Sequence, residues 1–137
     1  MLPEVECWAL LDKVDVGRLG VAIMNVPDIF PVNFIVHRGH VVFRTAEGTK
    51  LAAAVLGQAV AFEVDGYDGE AGVAWSVVIH GRADEIEKME EVYAALDLPL
   101  FPWHAGPKSR FVRIRATTIT GRRFVVDPTV ETDRRRR

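Results

Sequence analysis

The sequence predicts a mainly β protein, an antiparallel barrel with short helices, on three observations. Apolar, β-branched segments of strand length recur along the chain at residues 19–24, 31–36, 41–44, 60–64, 73–82, 110–114 and 124–126. Only three stretches read as helical, residues 3–13, 49–56 and 84–96. Turn-forming residues separate most consecutive strands, so sequential neighbours can pair, and a sheet of about seven such strands removes its exposed edges by closing on itself.

The first element is a short helix over 3–13, with Pro3 tolerated at its first position and Trp8 and Leu11 three apart on one face. Leu19–Met24 and Pro31–Val36 follow as a hairpin around the turn composition of Asn25–Asp28, and Arg38, Gly39 and His40 form a second turn before Val41–Arg44. Helix formers then take over in TKLAAAVL (49–56), with Gly57 placed for a C-terminal cap. Val60–Val64 resumes the sheet, Gly66–Gly72 reads as a loop of three glycines and two acids, and Val73–Arg82 is a long strand. Asp84 and Glu87 have capping-box spacing for a helix whose Ile86, Met89, Val92, Tyr93 and Leu96 recur at intervals of three and four. Pro99, Pro102 and Pro107 enforce a loop, and Gly121 divides the strand at Arg110–Ile114 from Phe124–Val126.

The 137 residues suit one domain that buries roughly two thirds of its unfolded surface. We place that domain at 1–127, with 128–137 as a basic C-terminal tail. A hydrophobic fraction of 49% and a charged fraction of 26% exclude a disordered or fibrous chain. Cys7 is the only cysteine, so disulfides supply no framework, in keeping with a reducing cytoplasm. The acids and lysine of MLPEVECWALLDKV do not fit a signal peptide, and no apolar run reaches the ~18 residues of a membrane span. Net charge is -2, and four of the positive charges are Arg134–Arg137, which leaves an acidic body. Such a body does not suit nucleic acid or a membrane surface, and the arginine run reads as a solvated end.

FRTAEGTKL (43–51) sets Arg44, Thr49 and Lys50 at the entrance to the second helix. A helix start offers unpaired backbone N–H groups and a positive dipole end, Gly48 admits close approach, Thr49 adds a hydroxyl and Lys50 a full charge. Arg44 adds a bidentate fork. Together they read as a phosphate cradle. It is not a Walker A loop, because Gly-Thr-Lys reverses the required order and Phe43 stands where the earlier glycine belongs.

PVNF (31–34), FRTAEGTKL (43–51), VAFEVD (60–65), WSVVIHGRA (75–83), PW (102–103) and TGRRF (120–124) occur in an order and spacing that resemble the pyridoxamine 5'-phosphate oxidase-like flavoproteins. The resemblance spans about residues 5–125 and is greatest to the short bacterial branch. It implies an FMN-binding split β-barrel, an antiparallel Greek-key barrel, working as a homodimer with each cofactor in a groove between protomers. Carried over position by position, Arg44, Thr45, Thr49 and Lys50 become phosphate contacts. Asn33 falls at the isoalloxazine edge, where its amide offers both donor and acceptor. Trp75 and Ser76 fall on the strand lining the cofactor from the neighbouring subunit, and Arg122 is a further contact. FMN is the implied cofactor, with a deazaflavin as the alternative, and the expected activity is that of a cytoplasmic oxidoreductase acting on a small-molecule substrate. A non-catalytic flavin- or haem-binding module is the competing expectation. The substrate segment of true pyridoxamine phosphate oxidation, bearing arginine and histidine, is not found.

Other chemistries find little support. His37, His40, His80 and His104 lack companions at metal-ligand spacing, so no metal is expected. Glu4 and Glu6 beside Cys7 blunt that thiol. No nucleophile motif is present, Glu90 and Glu91 read as a solvated helix face, and no residue is nominated as a catalytic acid or base.

Overall fold

The computed structural model describes residues 1–46, 50–86 and 109–126. Helix α1 (Glu4–Leu11) precedes strands β1 (Val16–Ile23), β2 (Val26–His37) and β3 (His40–Ala46). Helix α2 (Lys50–Val55) connects to β4 (Ala59–Asp68), β5 (Val73–Glu85) and β6 (Ser109–Val125). Every ladder is antiparallel, and the barrel closes in the order β1-β2-β3-β6-β5-β4. The connection through α2 returns β4 to the side of β1, giving the 4-1-2-3 order of a Greek key. No described helix is long and apolar enough to cross a membrane.

Turn chemistry sets the registers. Met24 and Asn25 have φ of 50° and 66°, and Arg38 and Gly39 have 52° and 76°, so both hairpins close through two residues in the left-handed region. This backbone twist matches the twist of the flanking strands, and Ile23–Val26 and His37–His40 become the closing pairs. Each turn is therefore tighter than expected: Val26–Asp28 and His40 belong to strands. The acidic loop also shrinks, because β4 runs on through Gly66, Tyr67 and Asp68. The Asp68 carboxylate accepts from the Glu70 and Ala71 amides at 3.1 Å, folding the turn with its own side chain.

Alternation sends Leu19, Val32, Phe34, Val41, Phe43, Phe62, Val64, Val77, Ile79, Val112 and Ile114 into the core. Phe34 and Phe62 meet edge to face across it, with centroids 4.9 Å apart. Helix α1 packs against the core with Cys7, Leu10 and Leu11 buried, Trp8 lying partly buried beside them. The Leu2 amide donates to the Gly121 carbonyl at 2.9 Å, and Arg123 pairs with Glu6 at 2.7 Å.

Two expectations are corrected. Residues 110–114 and 124–126 are one strand, β6, so the described barrel has six strands. Gly121 is kept in that strand by packing, because a Cβ there would lie 2.6 Å from Cys7 Sγ. Asp84 caps no helix: it is a strand residue whose carboxylate accepts from Arg115 Nε at 2.8 Å and Arg113 Nε at 3.3 Å. Ile86 donates its amide to the Phe111 carbonyl and packs with Val42 and Phe111. The rest of the expected 84–96 helix, the proline-rich loop with Trp103 and His104, and the basic tail lie outside the described residues.

Candidate functional site

Arg44 projects from the outer face of β3, opposite in direction to the buried Phe43 and Thr45 on either side of it. Its register partner on β6 is Phe111, and the guanidinium carbon lies 5.5 Å from the centre of that ring. The Nε atom is buried and has no hydrogen-bond partner. A buried N–H left unmatched costs on the order of 1–3 kcal/mol, and an anion on the free side of the fork would remove that cost. The arginine thus fits a phosphate on geometry as well as on charge.

Asn33 follows one step beyond the Phe34–Phe43 pair, on the same outer face as Arg44 and half-buried. Lys50 opens α2, six positions past Arg44, and Thr49 lies outside the described residues. Thr45 is 4% exposed on the inner face, so it does not share a surface with Arg44. Among the described residues helix α2 runs over Lys50–Val55 and ends one residue before the expected Leu56. A helix of so few turns offers a weak dipole, and fixed charges must carry most of the attraction for an anion.

The second group sits elsewhere. Ser76 on β5 is directly opposite Arg122 on β6 and Asp65 on β4, and all three face outward. Trp75 turns the other way and covers its partner Gly66, where a Cβ would come within 2.6 Å of the indole nitrogen. Trp75 also packs against the core, which makes it as much a wall of the barrel as a surface for a ligand. Along β6, Phe111 and Arg122 are separated by eleven residues, roughly 36 Å of strand. The structure therefore brings Arg44 near Asn33 and Ser76 near Arg122, and keeps the two groups apart along the chain.

Charge pairing singles out the same residues. Arg18 binds Glu63 and Asp65, Arg110 binds Glu85, Arg113 and Arg115 share Asp84, Arg123 binds Glu6, and Arg82 donates to the Gly57 carbonyl. Among the described residues, Arg44 and Arg122 have no carboxylate partner, and neither does Arg38 at the β2–β3 turn. Phe111, beneath Arg44, escaped the sequence reading. Only the pairing of β3 with a strand some 65 positions later makes that contact, and Phe111 carries no motif of its own.

Among the described residues, the titratable groups elsewhere supply no activated nucleophile. Burial pushes the Cys7 thiol above its ordinary pKa, and the charges of Glu6 and Glu4 add to the effect. Glu63 is also raised, first by burial and then by the hydrogen bond and charge of Asp65, against the opposing pull of Arg18. Among the described residues, no three His, Cys, Asp or Glu side chains come together as metal ligands.

Known proteins share this architecture. The family model described as pyridoxamine 5'-phosphate oxidase matches residues 3–123. An FAD-binding protein of Mycobacterium smegmatis is 41% identical, with a TM-score of 0.84 over 92% of this chain and 98% of its own. A Corynebacterium glutamicum protein provisionally named a pyridoxamine 5'-phosphate oxidase is 39% identical, with a TM-score of 0.81 over 92% of this chain and 93% of that one. An uncharacterized protein of Mycobacterium tuberculosis is 36% identical over 131 residues, covering 92% of this chain and 86% of the other. With a match over nearly its whole length and the split-barrel topology, the chain belongs to the pyridoxamine 5'-phosphate oxidase family.

Proposed function

We propose that this protein binds a flavin nucleotide and works as a flavin-dependent oxidoreductase, with FMN as the cofactor expected from the sequence. The observation that carries the reading is Arg44: its Nε is buried and unmatched, and its guanidinium is braced on Phe111 at the end of the strand leading into Lys50. A phosphate monoester carries nearly two negative charges, so one fork and one ammonium match it in charge. Asn33, on the same face, would meet the polar edge of the ring with its amide.

A shared site in a homodimer is part of the proposal. Ser76 and Arg122 lie too far along β6 from Arg44 to meet the same small ligand within one chain. A two-fold axis would bring the Ser76–Arg122 face of one protomer to the Arg44 face of the other. The flavin, when bound, supplies hydride or single-electron transfer. The chain's own part is to hold the phosphate, to orient the ring through Asn33 and to leave one ring face open to a small-molecule substrate.

The similarity to an FAD-binding protein favours a second reading of the cofactor, FAD in place of FMN, with the same phosphate at Arg44. Fluorescence titration of dialysed protein with FMN, FAD, riboflavin and a deazaflavin tests both. Saturation by FMN or FAD with much weaker riboflavin binding supports the cradle, and saturation by the deazaflavin alone reassigns the cofactor. Equal binding of FMN and riboflavin overturns the phosphate role. Turnover with a reduced nicotinamide or reduced deazaflavin separates an oxidoreductase from a module that only binds flavin.

A further inference from the structure

Strand β2 is twelve residues long, yet β3 pairs only with its last four, Phe34–His37. The preceding stretch from Val26 is paired with β1 on one side and, among the described residues, with no strand on the other. Val26–Ile29 and Pro31 are exposed, Val26 by 66% and Ile29 by 68%. A cavity of about 360 Å³ opens alongside, between Val26 and Asp28 and the Ala53 end of α2. An exposed apolar strand with one open side is a template on which a further strand can add.

What that side offers depends on phase, because alternate residues of an antiparallel strand turn their backbone groups to opposite sides. The phase is fixed at both ends of the β1–β2 ladder. The Phe34 amide donates to the Asp15 carbonyl at 3.0 Å, and the two-residue turn makes Ile23 and Val26 a hydrogen-bonded pair. Residues 26, 28, 30, 32 and 34 therefore bond to β1, and residues 27, 29 and 31 face the open side. Pro27 and Pro31 have no N–H to give there. Ile29, between them, gives its N–H to Asp28 Oδ1 at 3.0 Å. From Pro27 to Pro31 the open side thus presents carbonyls and no available donor. The same gap acts within the chain: continued past Phe34–Phe43, the β2–β3 register would set Pro31 opposite Ala46, where β2 has no N–H to extend the ladder.

We propose that Pro27, Asp28 and Pro31 act as a set that closes this edge to strands, so that copies of the chain cannot extend the sheet through β2. In a two-fold pairing of two such edges centred on Ile29, Pro27 of one copy faces Pro31 of the other, and the central pair forms only by breaking both Asp28 caps. Contact between copies is left to side-chain faces. The set acts whether or not the chain carries a flavin.

The test compares wild type with two triple variants by sedimentation velocity over a wide concentration range. Pro27→Thr/Asp28→Ala/Pro31→Thr restores all three donors, with threonines that suit a strand. Pro27→Thr/Asp28→Asn/Pro31→Thr removes the same charge but keeps a side-chain carbonyl for the Ile29 amide. The first should self-associate about a hundredfold or more tighter than wild type, at roughly tenfold per restored bond, and the second by a smaller factor. Amide hydrogen exchange on the associated first variant should show new protection at residues 27, 29 and 31, which locates the contact at this edge. A first variant that keeps the wild-type circular dichroism and the wild-type association state overturns the proposal. So does association that leaves those three amides exchanging freely, since apolar packing then holds the copies. Equal association of the two variants overturns the role given to the Asp28 cap. Should the triple variants fail to fold, Asp28→Ala alone decides: its Ile29 amide should exchange about tenfold faster than in wild type, and an unchanged rate overturns the cap.

Discussion

The Arg44 guanidinium lies over the Phe111 ring, 5.5 Å from its centre, with Nε buried and unmatched. The ring fixes the plane of the fork without consuming a hydrogen bond, so the donors stay available to a ligand.

Arg44→Lys should weaken FMN binding by about tenfold or more, although the charge is kept, because a lysine cannot reproduce a braced bidentate fork. Riboflavin binding should change little. Isothermal titration with both ligands checks this, and equal losses for the two would remove Arg44 from the phosphate.

Mixing two binding-deficient variants examines the shared site. In a two-fold dimer built from Arg44→Ala and Arg122→Ala chains, each heterodimer has one intact site and one doubly altered site. Half of a random mixture is heterodimer, so about a quarter of the sites should regain flavin. Absorbance of bound flavin after co-refolding measures it, and no recovery would place each site within a single chain.

Gly81→Ala should be far more disruptive than Gly20→Ala. A Cβ on Gly81 would drive into the carbonyl oxygen of Arg115 and come within 2.9 Å of its carbon, beside the register shift at His80/Gly81. Backbone on the opposing strand cannot yield as a side-chain tip does, and the loss should reach about 3 kcal/mol. A Cβ on Gly20 finds ordinary contact at 3.7 Å, and its effect should be small. Urea midpoints for the two variants give the comparison.

Cys7 should resist alkylation in the native state at neutral pH. Burial, Glu6 and Glu4 all hold its proton on, so the folded chain binds that proton more tightly than the unfolded chain does. The contribution to stability is complete below the unfolded thiol pKa of about 8.5 and is lost as pH rises from there through the higher folded value. Cys7→Ala should flatten that alkaline decline, as read from thermal midpoints between neutral and alkaline pH.

Glu63 tests the Arg18 bridge. Its pKa is raised despite Arg18, so removing that cation in Arg18→Ala should raise it further. The contribution of Glu63 to stability is present below its unfolded value of about 4.3 and is lost as pH rises through the folded one. Because both side chains are partly exposed, the effect on stability at neutral pH should stay below about 1 kcal/mol. Carboxyl carbon titration by NMR resolves the shift.

How far the chain could be read from its sequence follows from the range of the forces involved. Alternation marked β2 through β5 because inward residues such as Val32, Phe34 and Phe43 are apolar whatever strand they pair with. Gly121 misled because a glycine between two apolar runs reads as punctuation, when here it makes room for Cys7 from a helix more than a hundred residues earlier. Asp84 misled likewise: a local capping pattern lost to two arginines on the opposing strand, which satisfy its carboxylate more strongly than helical amides. The cation-rich stretch from Arg44 to Lys50 could be picked out because its residues lie within seven positions of one another.

The sequence by itself determined the β class, the inward faces of most strands, the position of the cation-rich corner and the family. Each depends on residue type and near-neighbour spacing, which the chain carries in one dimension. Only the tertiary structure decided that Phe111 lies under Arg44, that Ser76 faces Arg122 and that these groups stand far apart along β6. Those facts depend on cross-strand register, which closes through contacts between distant segments and is set by the whole barrel at once.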